Sequence, residues 1–223
     1  MQGDYIFETQ DGSHSIFSET HEVSYHSKYG AIQESQHVFI EAGLYHKRLE
    51  KKEISILEIG FGTGLNALMT LLEAEKQQLQ IYYESIEAFP INEVQAATLN
   101  YTSKLQAEDY QATFLKMHEL EWNTEVELTA NFRFKKVLQK FEAIHYTPQF
   151  DIIYFDAFAP NAQPTLWEAA MLTKMFDALI EGGIWVSYCA KGSVKRLLKD
   201  IGFQIEALKG PPGKREMTRA TKP

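Results

Sequence analysis

Apolar positions along this chain fall into two kinds of cluster: short dense runs, and longer stretches in which they recur every three or four residues. Ile54, Ile56, Leu57 and Ile59 make a dense run that suits a strand buried on both faces. Leu65, Leu68, Met69, Leu71 and Leu72 then recur at helical spacing, so a strand passes abruptly into a helix. The same alternation continues. Gln80–Glu87 reads as a strand, Pro90 opens an Ala- and Leu-rich helix, and a second helical pattern runs to about Leu120. Residues 126–136 alternate as a half-exposed strand does, and residues 137–144 take helical spacing. Phe150–Phe155 is another buried strand. Residues 165–180 form an amphipathic helix with Leu166, Ala169, Leu172, Met175, Phe176 and Leu179 on its buried face, and Gly182-Gly183 stops it. Residues 184–189 predict a strand, 193–200 a helix, 203–208 a strand and 216–220 a last strand. Near the N-terminus, Asp11-Gly12 between β-favouring runs predicts a hairpin, and residues 32–49 a helix leading into the core. Strands alternating with helices predict a doubly wound, mostly parallel, Rossmann-like α/β sheet. Residues 1–50 are expected as an N-terminal extension packed on a main domain of residues 51–223.

Composition narrows the class. At 223 residues the chain suits one α/β domain with an extension. No stretch approaches a membrane-spanning length and the polar N-terminus lacks the apolar core of a signal peptide, so a cytoplasmic protein is expected. The single cysteine, Cys189, excludes an internal disulfide and reads as a core residue at a strand end. His14, His21, His26 and His37 invite a metal site, but no Cys or H-x-x-x-H pair supports one, and no metal is expected. The formal net charge of −8 argues at first against a polyanionic partner, yet charge is uneven: residues 186–223 hold nine basic and three acidic side chains. That makes a basic end on an acidic body. Gly210-Pro211-Pro212-Gly213-Lys214 lacks the first glycine of a phosphate loop and has Arg215 in place of Ser/Thr, which excludes that reading.

The candidate chemistry begins at Gly60-Phe61-Gly62-Thr63-Gly64, between the first dense strand and its helix. Glycines let a ligand approach the main chain at a helix N-terminus, where free N–H groups point outward. A dinucleotide loop reads G-x-G-x-x-G. Here the glycines alternate and Glu58 precedes them by two, and E-x-G-x-G-x-G resembles motif I of S-adenosylmethionine (SAM) methyltransferases. A tight turn without ligand and a NAD site are the alternatives. Glu87, ending the second strand, is placed to accept hydrogen bonds from ribose hydroxyls. Asp156 ends the next strand in Asp156-Ala157-Phe158-Ala159-Pro160, beside the transferable group or, in the plainer reading, as a helix N-cap. Ligands of open α/β sheets sit beyond the strands' carboxyl ends, so Glu58/Gly60, Glu87 and Asp156 should meet in one crevice.

A longer series of segments makes the resemblance specific: Asp11-Gly12-Ser13, Tyr25-His26-Ser27, Gly30-Ala31, Glu34-Ser35, His37-Val38-Phe39, LEIGFGTGLN, DAFAP with Trp167, and Gly213-Lys214-Arg215-Glu216-Met217. In this order they resemble the methyltransferase domain of the tRNA-modifying MnmC family. The resemblance implies a class I SAM-dependent methyltransferase fold and methyl transfer to the amine of 5-aminomethyl-(2-thio)uridine at the tRNA wobble position. It implies cofactor binding by Tyr25, Glu58, Gly60, Phe61, Gly62, Gly64, Asn66, Glu87 and Asp156, with Asp156 orienting the acceptor amine. Three departures stand out. The FAD-dependent oxidase domain of bifunctional members has no counterpart in this sequence, so no FAD is expected; Lys135-Lys136 stand where relatives often have Gly-Asp; and Gln163-Pro164 stand where Asn-Pro is usual. The basic side chains Lys191, Lys195, Arg196, Lys214, Arg215 and Arg219 are expected to hold the tRNA backbone, with Lys28, Lys47 and Arg48 as the fallback. A transferase acting on a small amine (methyl or aminopropyl) and a non-catalytic SAM-binding RNA module remain as alternatives.

Overall fold

The computed structural model describes residues 4–20 and 22–223, so His21 lies outside the described residues. An eight-stranded sheet forms the centre. In chain order its members are β4 (Glu53–Ile59), β5 (Gln80–Glu87), β6 (Glu125–Thr129), β7 (Phe132–Leu138), β8 (Phe150–Phe155), β9 (Leu179–Ser187), β10 (Gln204–Lys209) and β11 (Glu216–Thr221). Across the sheet they stand in the order β10-β11-β9-β8-β4-β5-β7-β6. β7, β5, β4, β8 and β9 run parallel, β11 is antiparallel to both β9 and β10, and β6 is antiparallel to β7. The strand order reverses at β4, which places the crevice beyond the carboxyl ends of β4, β5 and β8.

The period of two along each strand divides the core between the sheet's faces. Ile54, Ile56, Ile152 and Tyr154 bury one way, while Leu57, Ile59, Ile153 and Phe155 bury the other. Each fully buried side chain of this size contributes roughly 1.5–3 kcal/mol through the area it removes from water. The first face is covered by α3 (Leu65–Gln77) and by a continuous helical segment comprising α1 (Ala31–Ser35), a π-helical stretch Gln36–Leu44 and α2 (Tyr45–Lys47). Gly43 sets how closely that segment approaches: a Cβ there would lie 3.0 Å from Tyr154 Cε1 and 3.3 Å from Val186 Cγ2. The small helices α4 (Glu93–Ala97), α5 (Tyr101–Lys104) and α6 (Gln111–Glu119) follow β5, with α7 (Ala169–Ala178) and α8 (Gly192–Ile201) on the second face. A separate antiparallel sheet of β1 (Tyr5–Glu8), β2 (His14–Ser18) and β3 (Val23–Ser24) contains the hairpin expected at Asp11-Gly12.

Five expectations change. The strand over 126–136 is a hairpin turning at Ala130-Asn131, and β7 runs on to Leu138 because Val137 and Leu138 pair with Ile86 and Glu87 of β5. Residues 137–144 are therefore not a helix; only a 3₁₀ turn, Phe141–Ala143, follows. The helix over 165–180 divides into a 3₁₀ turn, Pro164–Trp167, and α7, and β9 already begins at Leu179. Gly182-Gly183 lie within that strand, where the Gly182 N–H donates to Lys222 O and the Lys222 N–H to Gly183 O. The helix after Pro90 starts at Glu93, where Asn92 and Gln95 form a reciprocal capping box. Among the described residues no helix is long and apolar enough to cross a membrane.

Candidate functional site

β4 delivers its glycines into a turn held at both sides. The Gly60 N–H donates to Ile86 O at 2.9 Å, and the Asp156 N–H donates to Ile59 O at 3.1 Å. Gly60 has φ +94° and Gly62 φ +51°, conformations that cost other residues roughly 1–2 kcal/mol. Space is short as well: a Cβ on Gly60 would lie 3.1 Å from Asp156 O, and one on Gly62 3.0 Å from Tyr25 Cδ1. Gly64 is the left-handed N-cap of α3, so the first N–H groups of that helix open beside the loop.

Asn66, in the first turn of α3, joins two carboxylates. Its Nδ2 donates to Glu58 Oε1 at 3.0 Å and to Asp156 Oδ2 at 2.9 Å, while Ser85 Oγ donates to Glu58 Oε2 at 2.6 Å. The amide orientation follows from this, because the reverse rotamer would set its oxygen against both carboxylates. Asn66 Oδ1 is left buried with no hydrogen-bond partner, an unmet acceptor on a residue that lines the cavity. Burial pushes Glu58, fully inaccessible, up to about 8. Loss of solvation also pushes Asp156 up to about 7, with Glu34 adding to the rise and Asn66 and Lys214 opposing it. The side chain of Asp156 is thus taken up by Asn66, and the residue preceding α7 as N-cap is Glu168.

Glu87 has a structural task that the sequence did not suggest. Its Oε2 accepts from the Gly62 N–H at 2.9 Å, and Oε1 from the Ala88 and Phe89 N–H groups at 2.8 Å each, so it fixes the glycine turn while lining the cavity. The remaining lone pairs are where a ligand hydroxyl could donate. Tyr25 reaches the loop from just past β3. Its ring lies against Gly62 and edge-on to Phe158 at 5.1 Å, and burial beside Glu87 and Asp4 raises its phenol. His26 shares a hydrogen bond of 2.9 Å with Thr63 Oγ1 and is held neutral, burial pushing it down to about 4. The N-terminal sheet is thereby latched to the glycine loop.

Of the nine expected cofactor residues, Tyr25, Gly60, Phe61, Gly62, Asn66, Glu87 and Asp156 line one cavity. Glu58 and Gly64 stand behind it, Glu58 holding Asn66 and Gly64 packed on His118 and Phe61. Asp4, Ser18 and Thr20 also line the cavity, from an N-terminal segment whose sequence carries no motif for it. Phe89 and Phe141 do so too, each just past a strand end, a position that hydrophobic periodicity does not mark. Gln163 lines it as well, whereas Lys135 and Lys136 do not. They lie inside β7: Lys135 pairs with Glu84 at 3.4 Å, and Lys136 Nζ donates to His118 O and stands 4.5 Å over the Trp122 ring. Among the described residues lining the cavity there are three carboxylates, Asp4, Glu87 and Asp156, and no Lys or Arg, an arrangement that favours a cationic ligand.

The remaining sequence candidates separate clearly. His14 Nδ1 bonds Thr98 O at 3.1 Å and His37 Nε2 bonds Lys209 O at 2.7 Å. Cys189 is buried, and that burial raises its thiol. Three of the basic residues are already paired within the chain: Lys195 with Glu216 at 2.8 Å, Lys214 with Glu34 at 2.5 Å, and Arg219 with Glu206 at 2.9 Å. Lys191 donates to Asn161 Oδ1 beside the DAFAP loop. Arg196 and Arg215 are exposed, with no ion pair among the described residues. In the fallback set, Lys47 is buried against Glu50 and Gly182 O, and Arg48 lies over Tyr45.

A family model described as S-adenosyl-L-methionine-dependent methyltransferase matches residues 97–223, more than half of the chain. The tRNA 5-methylaminomethyl-2-thiouridine biosynthesis bifunctional protein MnmC of Aromatoleum aromaticum is 31% identical over 208 residues, covering 87% of this chain and 32% of that protein. The chain spans about a third of the length of the curated relatives it matches. Among solved structures, MnmC2 from Aquifex aeolicus matches with a TM-score of 0.81 at 27% identity, over 100% of this chain and 71% of that one. Spermidine synthase from Thermotoga maritima matches over 98% of this chain and 72% of its own with a TM-score of 0.52, and at 14% identity it shares the fold alone.

Proposed function

The chain belongs to the S-adenosyl-L-methionine-dependent methyltransferase family, as an MnmC-type domain with the class I Rossmann-like fold, and from that premise we propose that it methylates 5-aminomethyl-(2-thio)uridine at the tRNA wobble position. The product is the 5-methylaminomethyl nucleoside. The observation that carries the reading is the bond from Asn66 to Asp156, which fixes a carboxylate at the seam between the glycine loop and the DAFAP loop. The similarity to MnmC proteins supports tRNA as the partner, and the presence of Asp4, Ser18, Thr20 and Tyr25 in the cavity lining supports residues 1–50 as an extension packed on a methyltransferase domain of residues 51–223.

S-adenosylmethionine, when bound, supplies a methyl group on a sulfonium for in-line displacement by nitrogen. Gly60, Gly62 and the first turn of α3 provide the main-chain surface for it, Glu87 the acceptor for its ribose, and Asn66 Oδ1 the free acceptor for an ammonium N–H. Asp156 accepts an N–H of the acceptor amine and aims its lone pair; Asn66 holds that carboxylate in place. The amine must be neutral to attack. It forms the new N–C bond as the C–S bond breaks with its electron pair on sulfur, and the product ammonium then loses a proton. Phe61, Phe141 and Phe158 supply apolar lining, and the positive charge of the sulfonium itself disfavours a second cation beside it and so favours the neutral amine.

The test is transfer of labelled methyl from S-adenosylmethionine to tRNA that carries aminomethyl-uridine, followed by nucleoside analysis. Appearance of the methylaminomethyl nucleoside is expected. Transfer to free small amines with none to tRNA would reject the tRNA assignment, and binding of both ligands without turnover would reject catalysis. Asp156→Ala is expected to retain cofactor binding while lowering the rate about a hundredfold or more.

A further inference from the structure

We propose that Tyr29 is an RNA-docking residue: its exposed ring stacks on a nucleotide flanking the wobble uridine while that uridine enters the cavity, and the cations of Lys28 and Arg215 meet the adjoining phosphates. This rests on the tRNA reading above. Tyr29 is 38% exposed and stands at the tip of a turn that the Gly30 N–H closes by donating to Ser27 O at 3.1 Å. Further bonds hold that turn: the Gln10 N–H donates to Lys28 O at 3.0 Å, the Tyr29 N–H to Ser27 Oγ at 3.3 Å, and the Ser27 N–H to Glu34 Oε2 at 3.0 Å. The ring rests on a second turn, between β10 and β11, where the Lys214 N–H donates to Pro211 O and the Gly210 N–H to Arg215 O. Gly213 makes the room there: its φ is +82°, and a Cβ on it would collide with Tyr29 Cδ2 and Cε2. Tyr29 is thus an aromatic platform fixed in place at the surface.

Contacts connect the platform to the cavity. Lys214, next to Gly213, donates to Glu34 Oε1 at 2.5 Å and stands 3.7 Å from the centre of the Tyr188 ring. The Tyr188 hydroxyl donates to Ala157 O at 2.8 Å, and Ala157 lines the cavity. Charge points the same way. The described residues lining the cavity include Asp4, Glu87 and Asp156 but no Lys or Arg, so the cavity suits an aminomethyl base and offers nothing to the phosphates beside it. Outside, Lys28 and Arg215 are exposed and form no ion pair among the described residues. Lys28 Nζ lies 5.6 Å from the Tyr29 ring centre, and Glu216, next to Arg215, is taken by Lys195 at 2.8 Å. An exposed ring with an unpaired cation on each of its two turns matches single-stranded RNA, whose binders combine basic side chains for the backbone with aromatic rings on which bases stack. Drawing one base into a cavity breaks its stacking on the next, and a ring outside the cavity replaces that lost contact.

The probe is an RNA stem-loop with aminomethyl-uridine at the wobble position of its anticodon loop, bound to the full chain with S-adenosylhomocysteine present to prevent turnover. Tyr29→Ala is expected to raise its Kd about tenfold with the salt dependence unchanged, and Tyr29→Phe, which keeps the ring, to stay near the parent. Lys28→Gln/Arg215→Gln is expected to flatten the log–log salt slope by about one unit for each phosphate no longer neutralised. A coupling test separates stacking from a structural role. A stem-loop made abasic at the nucleotide on one side of the wobble uridine should bind the parent about tenfold more weakly and lose nothing further with Tyr29→Ala. Structural damage would instead weaken the intact RNA and both abasic RNAs alike, and that result, or an unchanged Kd in folded Tyr29→Ala, would overturn the inference. Affinity for the cofactor, read by calorimetry, is expected to be the same in Tyr29→Ala and its parent. If the parent methylates and binds the stem-loop while Tyr29→Ala is indistinguishable from it, the docking role alone fails; if the parent does not bind the RNA, the tRNA reading fails and the docking role with it.

Discussion

Asn66 shows how one side chain can organise a site. An amide with two N–H groups bridges two buried acids from different strands, and its own oxygen is left without a partner. Glu58 and Asp156 have folded-state values of about 8 and about 7, both raised above their ordinary values of 4.5 and 3.8. A carboxyl raised on folding favours the folded state below its unfolded value, and that contribution is lost as pH rises through the folded value. Between about pH 4 and 6.5 this loss is offset by His26 and His118, both pushed down by burial from 6.5 to about 4, whose neutral forms favour the folded state as pH rises. The free protein is therefore expected to lose thermal stability chiefly from about pH 6.5 to about pH 8. Glu58→Gln, which can keep bonds to Asn66 and Ser85, should flatten that slope; unfolding curves at several pH values check it, and an identical slope in the variant would remove Glu58 as the cause. Gly62→Val is expected to abolish cofactor binding in calorimetry while the protein remains folded. The substitution sets a branched side chain at φ +51° with its Cβ 3.0 Å from Tyr25, in the space a ligand needs. An unchanged affinity in the folded variant would move the cofactor away from this loop.

At the scale of elements, the helical segment through Gln36–Leu44 is held against the sheet by the absence of a side chain at Gly43. Gly43→Val is expected to force it away from Tyr154 and Val186 and to destabilise the fold by about 1–3 kcal/mol, read as a lowered Tm. A variant as stable as the parent would show that the packing there is slack. Element boundaries were legible where the pattern was dense, as in Phe150–Phe155, and failed where pairing decided the outcome. Residues 137–144 have helical spacing, yet Val137 and Leu138 are drawn into β7 by the free edge of β5, since tertiary hydrogen bonding outweighs the small propensity difference. Gly182-Gly183 look like a helix stop for a similar reason: their partner, Lys222, lies about forty residues further along the chain.

For the whole molecule, the charge map changes once side chains are placed. Sequence clustering offered six basic residues as a polyanion footprint, but Lys195, Lys214 and Arg219 spend their charge on Glu216, Glu34 and Glu206. Exposed Arg196 and Arg215 are the stronger candidates for binding phosphate, while Lys191 is bonded to Asn161. Arg196→Glu/Arg215→Glu is expected to weaken tRNA binding and flatten its log–log salt dependence by about one unit for each phosphate no longer neutralised, leaving cofactor affinity unchanged. Lys195→Glu should have a smaller effect. Binding curves at several salt concentrations decide this, and equal slopes for the Arg196/Arg215 variant and its parent would place the footprint elsewhere.

The sequence by itself determined the parallel α/β core, because strands buried on both faces must be continuously apolar and the helices between them must carry an apolar stripe. It also determined the glycine loop with Glu58, Glu87 and Asp156 at three strand ends, since a turn with positive φ and little room for a Cβ restricts which residues can stand at Gly60 and Gly62. Tertiary structure alone decided what those residues do to one another. Glu87 closes the loop, Asn66 couples two acids that lie far apart in sequence, and the N-terminal sheet supplies a cavity wall through Tyr25 and His26. Charge states and pairings depend on distance and loss of water, and both arise only when segments such as those of Glu34 and Lys214 are brought together by the fold.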